Sequence, residues 1–128
     1  MTIDKSMNVL IVDDYKTMLR IIRNLLKQIE FNNVEEASDG ADALSKLRGG
    51  NFGLVISDWN MAPMTGLQLL QEVRADNRLK TVPFIMITAE SQTENVIAAK
   101  AAGVSNYIVK PFNAETLKDK IEKVLAHA

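Results

Sequence analysis

Acidic side chains follow two short apolar runs of the sequence, near the points where those runs end. Asp13 and Asp14 come directly after residues 9–12, and Asp58 comes two positions after residues 54–56. Two carboxylates about 4 Å apart repel each other by roughly 4 kcal/mol at an effective dielectric constant near 20, so such a group needs a cation. An all-oxygen ligand set matches Mg²⁺, which takes one or two carboxylates and is commonly completed by a phosphate oxygen. These residue types therefore predict a magnesium site and phosphoryl chemistry.

A hydroxyl and an ammonium group follow two further apolar runs. Residues 84–87 lead into Thr88 and Ala89, and residues 107–109 lead into Lys110. A carboxylate at a strand end can attack phosphorus and form an aspartyl phosphate. A metal ion, a Lys ammonium and a Thr hydroxyl would then stabilise the oxygens of the transferring group. The set predicts a chain that accepts a phosphoryl group on one of its own carboxylates.

The apolar runs are too short for helices and are rich in β-branched residues, which predicts strands of a parallel sheet covered on both faces. A weaker run at residues 33–37 has adjacent Glu35 and Glu36, so we expect it at a polar sheet edge. Helical spacing of apolar residues lies between the runs, strongly at 18–29 and 117–124 and more weakly at 41–47, 67–73 and 94–102. The alternation predicts an α/β protein of the (βα)5 type, a doubly wound three-layer sandwich.

Helix start and stop signals agree with this alternation. Asp14, Asp39 and Asn113 each precede a helical pattern and are expected N-caps, while Gly49–Gly50 and Gly103 follow one and are expected C-caps. In open α/β sheets ligands bind outside the carboxyl ends of the strands. The acidic, hydroxyl and ammonium groups should therefore meet at one edge of the sheet.

Composition excludes several classes of protein. The chain has 128 residues, no Cys and a formal net charge of −1, so we expect one domain over residues 1–128, no thiol chemistry and no nucleic-acid partner. No apolar stretch approaches the roughly 18 residues of a membrane helix, and the N-terminus lacks the apolar core of a signal peptide. We expect a cytoplasmic protein without membrane insertion.

The motifs Asp13–Asp14, Asp58, Thr88–Ala89 and Lys110–Pro111–Phe112, in this order and spacing, resemble the receiver domain of two-component response regulators. The resemblance covers the whole chain, and single-domain chemotaxis regulators are the most similar branch. It implies a flavodoxin-like fold with strand order 2-1-3-4-5. It also implies a single receiver domain over residues 1–128, with no output domain.

The resemblance assigns roles to the motif residues. Asp58 resembles the phosphoacceptor, and Asp13 and Asp14 resemble the acidic pair that binds Mg²⁺ with Asp58 and the backbone carbonyl of Asn60. Thr88 corresponds to the hydroxyl that bonds a phosphoryl oxygen. In these assignments the catalytic residue Asp58 is itself the acceptor. They therefore imply a protein that catalyses only its own phosphorylation and dephosphorylation, and not an enzyme acting on other substrates.

The remaining roles concern access, hydrolysis and switching. Lys110 corresponds to the cationic partner of the phosphoryl group, next to a Lys110–Pro111 peptide that is often cis in the family. Ala89 corresponds to the small residue that gives access, and Asn60 and Glu90 to positions that tune hydrolysis. Tyr107 corresponds to the aromatic switch. The expected partner face combines Tyr107 with three further positions, which are Val96, Lys100 and Lys120.

The implied partners are a histidine kinase of the CheA type, the flagellar motor switch protein and a phosphatase, and the expected state is a monomer. Two alternatives stay open: a phosphate sink or other non-motor regulator, and a dehalogenase-type phosphatase. The latter needs an acid two residues after its nucleophile, where this chain has Asn60. A flavodoxin would need a hydroxyl-rich loop where Asp13 and Asp14 stand.

Two stretches depart from the family pattern. The loop after Asp58 reads Met-Ala-Pro-Met-Thr-Gly at 61–66, with Pro63 one place late and Thr65 in place of Asp. Ser91 and Gln92 stand where motor-binding relatives have lysines. The first departure bears on the hydrolysis rate, and the second makes the partner face less basic.

Overall fold

A computed structural model of the chain describes residues 4–88 and 93–126, with the side chains of 93–95 outside the description. Strands and helices alternate along it. The strands are β1 (Val9–Val12), β2 (Val34–Ala37), β3 (Leu54–Asp58), β4 (Phe84–Thr88) and β5 (Asn106–Val109). The helices are α1 (Lys16–Gln28), α2 (Gly40–Gly49), α3 (Gly66–Ala75), α4 (Thr93–Ala101) and α5 (Ala114–Ala126).

The strands form one parallel sheet in the order β2-β1-β3-β4-β5. The predicted (βα)5 alternation and the strand order implied by the resemblance are therefore confirmed. The weak strand β2 lies at the sheet edge, as its two Glu residues predicted. Reversal of the strand order between β1 and β3 is a topological switch point, where such folds place their ligand sites.

Apolar clusters cover both faces of the sheet, because neighbouring residues of a strand point to opposite faces. Val9 and Ile11 of β1 face a cluster that includes Leu19 and Ile22 of α1 and the buried residues of α5. Leu10 and Val12 face a second cluster, to which α2 and α3 contribute. Helices α1 and α5 thus form one outer layer of the sandwich, and α2 and α3 belong to the other.

Two of the three expected N-caps are confirmed. Asp39 accepts a hydrogen bond from the Asp42 N–H at 2.7 Å, and Asn113 accepts one from the Thr116 N–H at 2.8 Å. The prediction for Asp14 is wrong, because α1 begins one residue later and has Tyr15 at its N-cap position without a side-chain bond. The chain turns there through Asp13, whose carboxylate accepts from the Tyr15 N–H at 2.9 Å.

Gly103 ends α4 as expected. Its φ of +91° lies in the left-handed region, and the N–H groups of Gly103 and Val104 donate to the carbonyls of Lys100 and Ala99. This is the Schellman arrangement. The Gly50 cap of α2 is extended instead, with a φ of −132°.

Glu30 occupies the same left-handed position after α1, with a φ of 74°. The N–H groups of Glu30 and Phe31 donate to the carbonyls of Lys27 and Leu26, so the turn is again of the Schellman type. Because a Cβ atom is strained in this region, we expect Glu30→Gly to raise the free energy of unfolding by about 1 kcal/mol. Urea denaturation measures the change. Glu30→Ala is the control, since it removes the exposed ion pair with Lys5 but keeps the Cβ, and an equal gain in that variant would contradict the prediction.

Within the described ranges, the structure contains no helix that is both long and apolar enough to cross a membrane.

Candidate functional site

The predicted site residues meet at the carboxyl edge of the sheet. Asp58 and Thr88 are the last residues of β3 and β4, while Asp13 and Lys110 follow β1 and β5. The register brings the strand ends side by side, with Asp58 opposite Ile87 and Thr88 opposite Val109. Residues separated by dozens of positions in sequence therefore lie on one rim of the sheet.

Three carboxylates form the centre of the site. Asp13, Asp14 and Asp58 each offer one oxygen, and these oxygens lie within 4.8 Å of one another. Asp13 and Asp58 are buried, with 2% and 4% of their surface exposed, whereas Asp14 is exposed. Asp14 is therefore the carboxylate of the three that solvent reaches, and Asp13 and Asp58 would supply the buried oxygen ligands of a cation.

One oxygen of Asp13 shows that this cluster suits a cation. Its Oδ1 accepts the Tyr15 N–H, but its Oδ2 is buried and has no hydrogen-bond partner among the described residues. An unsatisfied buried carboxylate oxygen is costly, and metal coordination is one way to satisfy it. The all-oxygen donor set fits a hard cation such as Mg²⁺.

Burial raises the pKa of Asp13 to about 6. This value already includes the charges of Asp58 and Asp14, which also raise the pKa, and the Tyr15 N–H and the Lys110 ammonium, which lower it. Near neutral pH the carboxylate is therefore ionised at an energetic cost to the fold, which a bound cation would offset.

We expect Asp13→Asn to stabilise the metal-free protein. Between pH 3.8 and about 6 the folded state keeps a proton on Asp13 that the unfolded state has lost, so stability falls as pH rises through this range. The amide avoids this loss, which amounts to about 3 kcal/mol at pH 7.5. Urea denaturation in a chelator at pH 7.5 and pH 4 measures it. A gain of the same size at both pH values would contradict burial of the charge as its cause.

Lys110 supplies the positive charge within the site. Its Nζ donates to Asp58 Oδ1 at 2.8 Å, and its side chain is 26% exposed. Its backbone N–H donates to the Thr88 carbonyl at 2.8 Å, which ties the end of β5 to the end of β4. The Lys110–Pro111 peptide is cis, as the resemblance implied. A second cis peptide, Ala62–Pro63, lies in the loop after β3.

Other residues with expected roles lie around this centre. Thr88 is buried at 5% exposure, and Asn60 is exposed just beyond β3. Tyr107 is half-buried against the second apolar cluster, and the Nζ of Lys120 lies 5.5 Å from the centre of its ring. On α4, Val96 is half-buried and Lys100 is exposed. Four residues named in the sequence analysis, Ala89, Glu90, Ser91 and Gln92, lie outside the described residues.

The loop at residues 61–66, which departs from the family pattern, has a structural role that the sequence analysis did not predict. Thr65 is the N-cap of α3: its hydroxyl accepts the Gln68 N–H at 3.1 Å, and Gln68 Oε1 accepts the Thr65 N–H at 2.9 Å. This reciprocal pair is a capping box, and the Thr-x-x-Gln spacing was its signal in the sequence. Gly66 follows it and donates its N–H to the Trp59 carbonyl at 2.9 Å. The loop is thus closed back onto the residue next to Asp58.

Comparisons with known proteins agree with this geometry. A sequence model of the family "Response regulator receiver domain" matches residues 9–122. The chain is 52% identical to chemotaxis protein CheY-3 of Vibrio cholerae over 122 residues, covering 95% of the chain and 94% of the relative. It is 54% identical to chemotaxis protein CheY of Pseudomonas aeruginosa over 118 residues, covering 92% and 95%. The fold is also similar to that of response regulator TrrA of Thermotoga maritima, solved in complex with Mg²⁺-BeF. The TM-score is 0.81 and the identity is 30%, with 92% of this chain and 98% of that chain covered.

Proposed function

The chain belongs to the receiver domain family of response regulators and is a chemotaxis signalling protein similar to CheY, and from this premise we propose that it accepts a phosphoryl group on Asp58. The observation that carries the proposal is the cluster of three carboxylate oxygens within 4.8 Å, with the Lys110 ammonium 2.8 Å from Asp58. It combines a nucleophile, a cation site and a fixed positive charge.

Asp58 is the nucleophile in this proposal. Lys110 contacts Oδ1, which leaves Oδ2 for attack on phosphorus. The new O–P bond forms as the P–N bond of a phosphohistidine breaks, and the electron pair of that bond returns to the imidazole nitrogen. The donor is a histidine kinase of the CheA type, by similarity to the chemotaxis relatives. We therefore propose that the chain acts in the cytoplasm, where it would meet such a kinase.

The other site residues act on the transferring group. Asp13, Asp14 and Asp58, with the Asn60 carbonyl, would hold Mg²⁺, which offsets the negative charge of the carboxylates and the phosphoryl oxygens. A relative of this chain was solved with Mg²⁺-BeF, which supports the choice of metal. Thr88 donates to a phosphoryl oxygen, and Ala89 leaves room for the group. Asn60 and Glu90 tune how fast water removes it.

Trp59 offers a direct test, because it adjoins Asp58 and its backbone N–H donates to the Ile87 carbonyl at 2.8 Å. Acetyl phosphate with MgCl₂ should change the Trp59 fluorescence. The same addition in a chelator should not. An equal change without the metal would contradict a magnesium-dependent transfer.

Lys110→Ala is expected to slow the transfer by about 10²- to 10³-fold, because it removes a positive charge beside Asp58, where negative charge develops during phosphoryl transfer. The initial rate of the fluorescence change measures the effect, and a thermal melt of the variant verifies that it is folded. Lys118→Ala removes an exposed lysine of α5 and serves as the matched control. Equal rates in the two variants would remove Lys110 from the proposed chemistry.

The phosphoryl group then shifts a conformational equilibrium. A change from 1:99 to 99:1 needs about 5.5 kcal/mol of differential stabilisation, and new bonds to Thr88 and Lys110 would contribute to it. Tyr107 is the proposed switch, and Val96, Lys100 and Lys120 complete the proposed partner face. The receiver itself, as a monomer, then contacts the flagellar motor switch protein, and a phosphatase resets it.

Pull-down of the chain by a motor switch protein, with and without a phosphoryl mimic, tests the partner. We expect capture only with the mimic. Absence of capture in both states would instead favour a phosphate sink that drains a kinase.

A further inference from the structure

A cavity of about 500 Å³ lies at the amino edge of the sheet, the edge opposite the carboxylate cluster. Pro83, just before β4, and Asn106, at the start of β5, place it there. Its polar and charged side chains come from α3, α5, the start of β5 and the loops at this edge: Arg74, Lys80, Thr81, Ser105, Asn106 and Lys123. The proposed phosphoryl transfer uses none of them.

Arg74 is the fixed cation of this cavity. Its Nε donates to the Gly103 carbonyl at 2.8 Å, and its Nη1 donates to the carbonyls of Val82 and Lys80 at 2.6 and 3.2 Å. These bonds hold the guanidinium and leave Nη2 without a partner among the residues that the structure describes. Burial lowers the pKa of Arg74, which shows that the charge is partly removed from water.

The neighbouring side chains of Ser105 and Asn106 also have hydrogen-bond donors for a ligand. Ser105 Oγ accepts the Phe84 N–H at 3.0 Å, so its own hydroxyl hydrogen is left for another acceptor. Asn106 Oδ1 accepts the Tyr107 N–H at 2.8 Å, which leaves its side-chain NH₂ as a donor. Because both oxygens are already acceptors, the groups that remain for a ligand are donors.

Charge around the cavity is positive. Lys80 and Lys123 are exposed at its rim, and none of the described residues that line it is acidic. Asp119 pairs with Lys123 at 3.1 Å, but both side chains are more than half exposed, at 57% and 63%, so this pair is weak. The chain as a whole carries a net charge of −1, so this concentration of cations is local.

We propose that the cavity binds a small molecule bearing phosphate groups. Three cations call for more than one negative charge, and a guanidinium matches the geometry of phosphate oxygens. A molecule with one carboxylate would leave most of the positive charge uncompensated. The volume lies within the range of roughly 300–1,000 Å³ that is typical of small-molecule sites.

Titration of the metal-free protein with inorganic pyrophosphate tests the proposal, with amide chemical shifts as the readout. We expect saturable shifts at Thr81, Ser105 and Asn106. Shifts confined to the neighbourhood of Asp13 and Asp58, or shifts reproduced by sodium chloride at equal ionic strength, would overturn it.

Substitution of the two rim lysines provides the second arm. The double variant Lys80→Ala/Lys123→Ala should bind pyrophosphate about tenfold more weakly, since it loses two charged contacts. Arg74 is left in place because its bonds hold the surrounding loops. Lys27→Ala, in the last turn of α1 and outside the residues that line the cavity, removes one exposed charge of the same kind and should bind within about twofold of the wild type. Equal weakening of pyrophosphate binding in the Lys27 variant and the double variant would show that overall charge causes the effect, and it would overturn the proposal.

Discussion

Asp58→Asn is expected to abolish transfer of a phosphoryl group from a phosphorylated histidine kinase to the chain. The neutral amide lacks the charged oxygen that attacks phosphorus, and no other carboxylate in the described part of the site combines burial with a contact to Lys110. The variant also removes one of the three oxygens available to a metal ion. Transfer of radioactive phosphate, followed on a gel, measures the loss.

Asp119→Asn is the matched control for this variant. Asp119 is exposed on α5 and, within the part of the chain that the structure describes, pairs only with Lys123, one helical turn away, so its loss should leave transfer at the wild-type rate. Strong labelling of Asp58→Asn would contradict the prediction. If the label also persists when Asp13 or Asp14 is replaced in that variant, the acceptor lies elsewhere in the chain.

Gly66→Ala is expected to destabilise the fold by about 3 kcal/mol and to impair the site with it. A Cβ atom at Gly66 would lie 2.2 Å from the Asp58 carbonyl oxygen and 3.0 Å from the Trp59 Cα. Both are backbone atoms, so relief of the clash requires movement of the strand end that carries the nucleophile. Urea denaturation gives the change in free energy, and the Trp59 signal on addition of acetyl phosphate gives the loss at the site.

Gly49→Ala separates this clash from the general effect of replacing glycine. A Cβ atom at Gly49, at the end of α2, would have no heavy atom within 4 Å. Because alanine restricts the unfolded chain and favours helix, this variant should be neutral or stabilised by up to about 1 kcal/mol. A loss at Gly66 no larger than the effect at Gly49 would contradict the close approach.

The sheet and the carboxylate site could be predicted from sequence because both depend on a rule of topology. Strands that are buried on both faces have continuous apolar runs in the sequence. Parallel strands bring the residues that follow those runs to the carboxyl edge of the sheet. Asp13, Asp58, Thr88 and Lys110 follow directly from that rule, and the structure places them as it predicts.

Features that depend on a few ångströms of local geometry were not predictable in the same way. Asp14 looked like a helix cap, but α1 begins one residue later because Asp13 accepts the Tyr15 N–H. Thr65 looked like a departure from a pattern, and its role as a cap depends on the reciprocal bond with Gln68. The basic cavity is assembled from side chains whose neighbours in sequence have no shared pattern, so only the folded chain shows it.

The central claim is that Asp58 accepts a phosphoryl group in a magnesium-dependent reaction. The most direct measurement is the intact mass of the wild-type chain after incubation with acetyl phosphate and MgCl₂, followed by mapping of the modified residue. We predict a gain of one phosphoryl group, located on Asp58 and absent when a chelator replaces MgCl₂. No gain in mass with MgCl₂ present, or a gain located on another residue, would contradict the account.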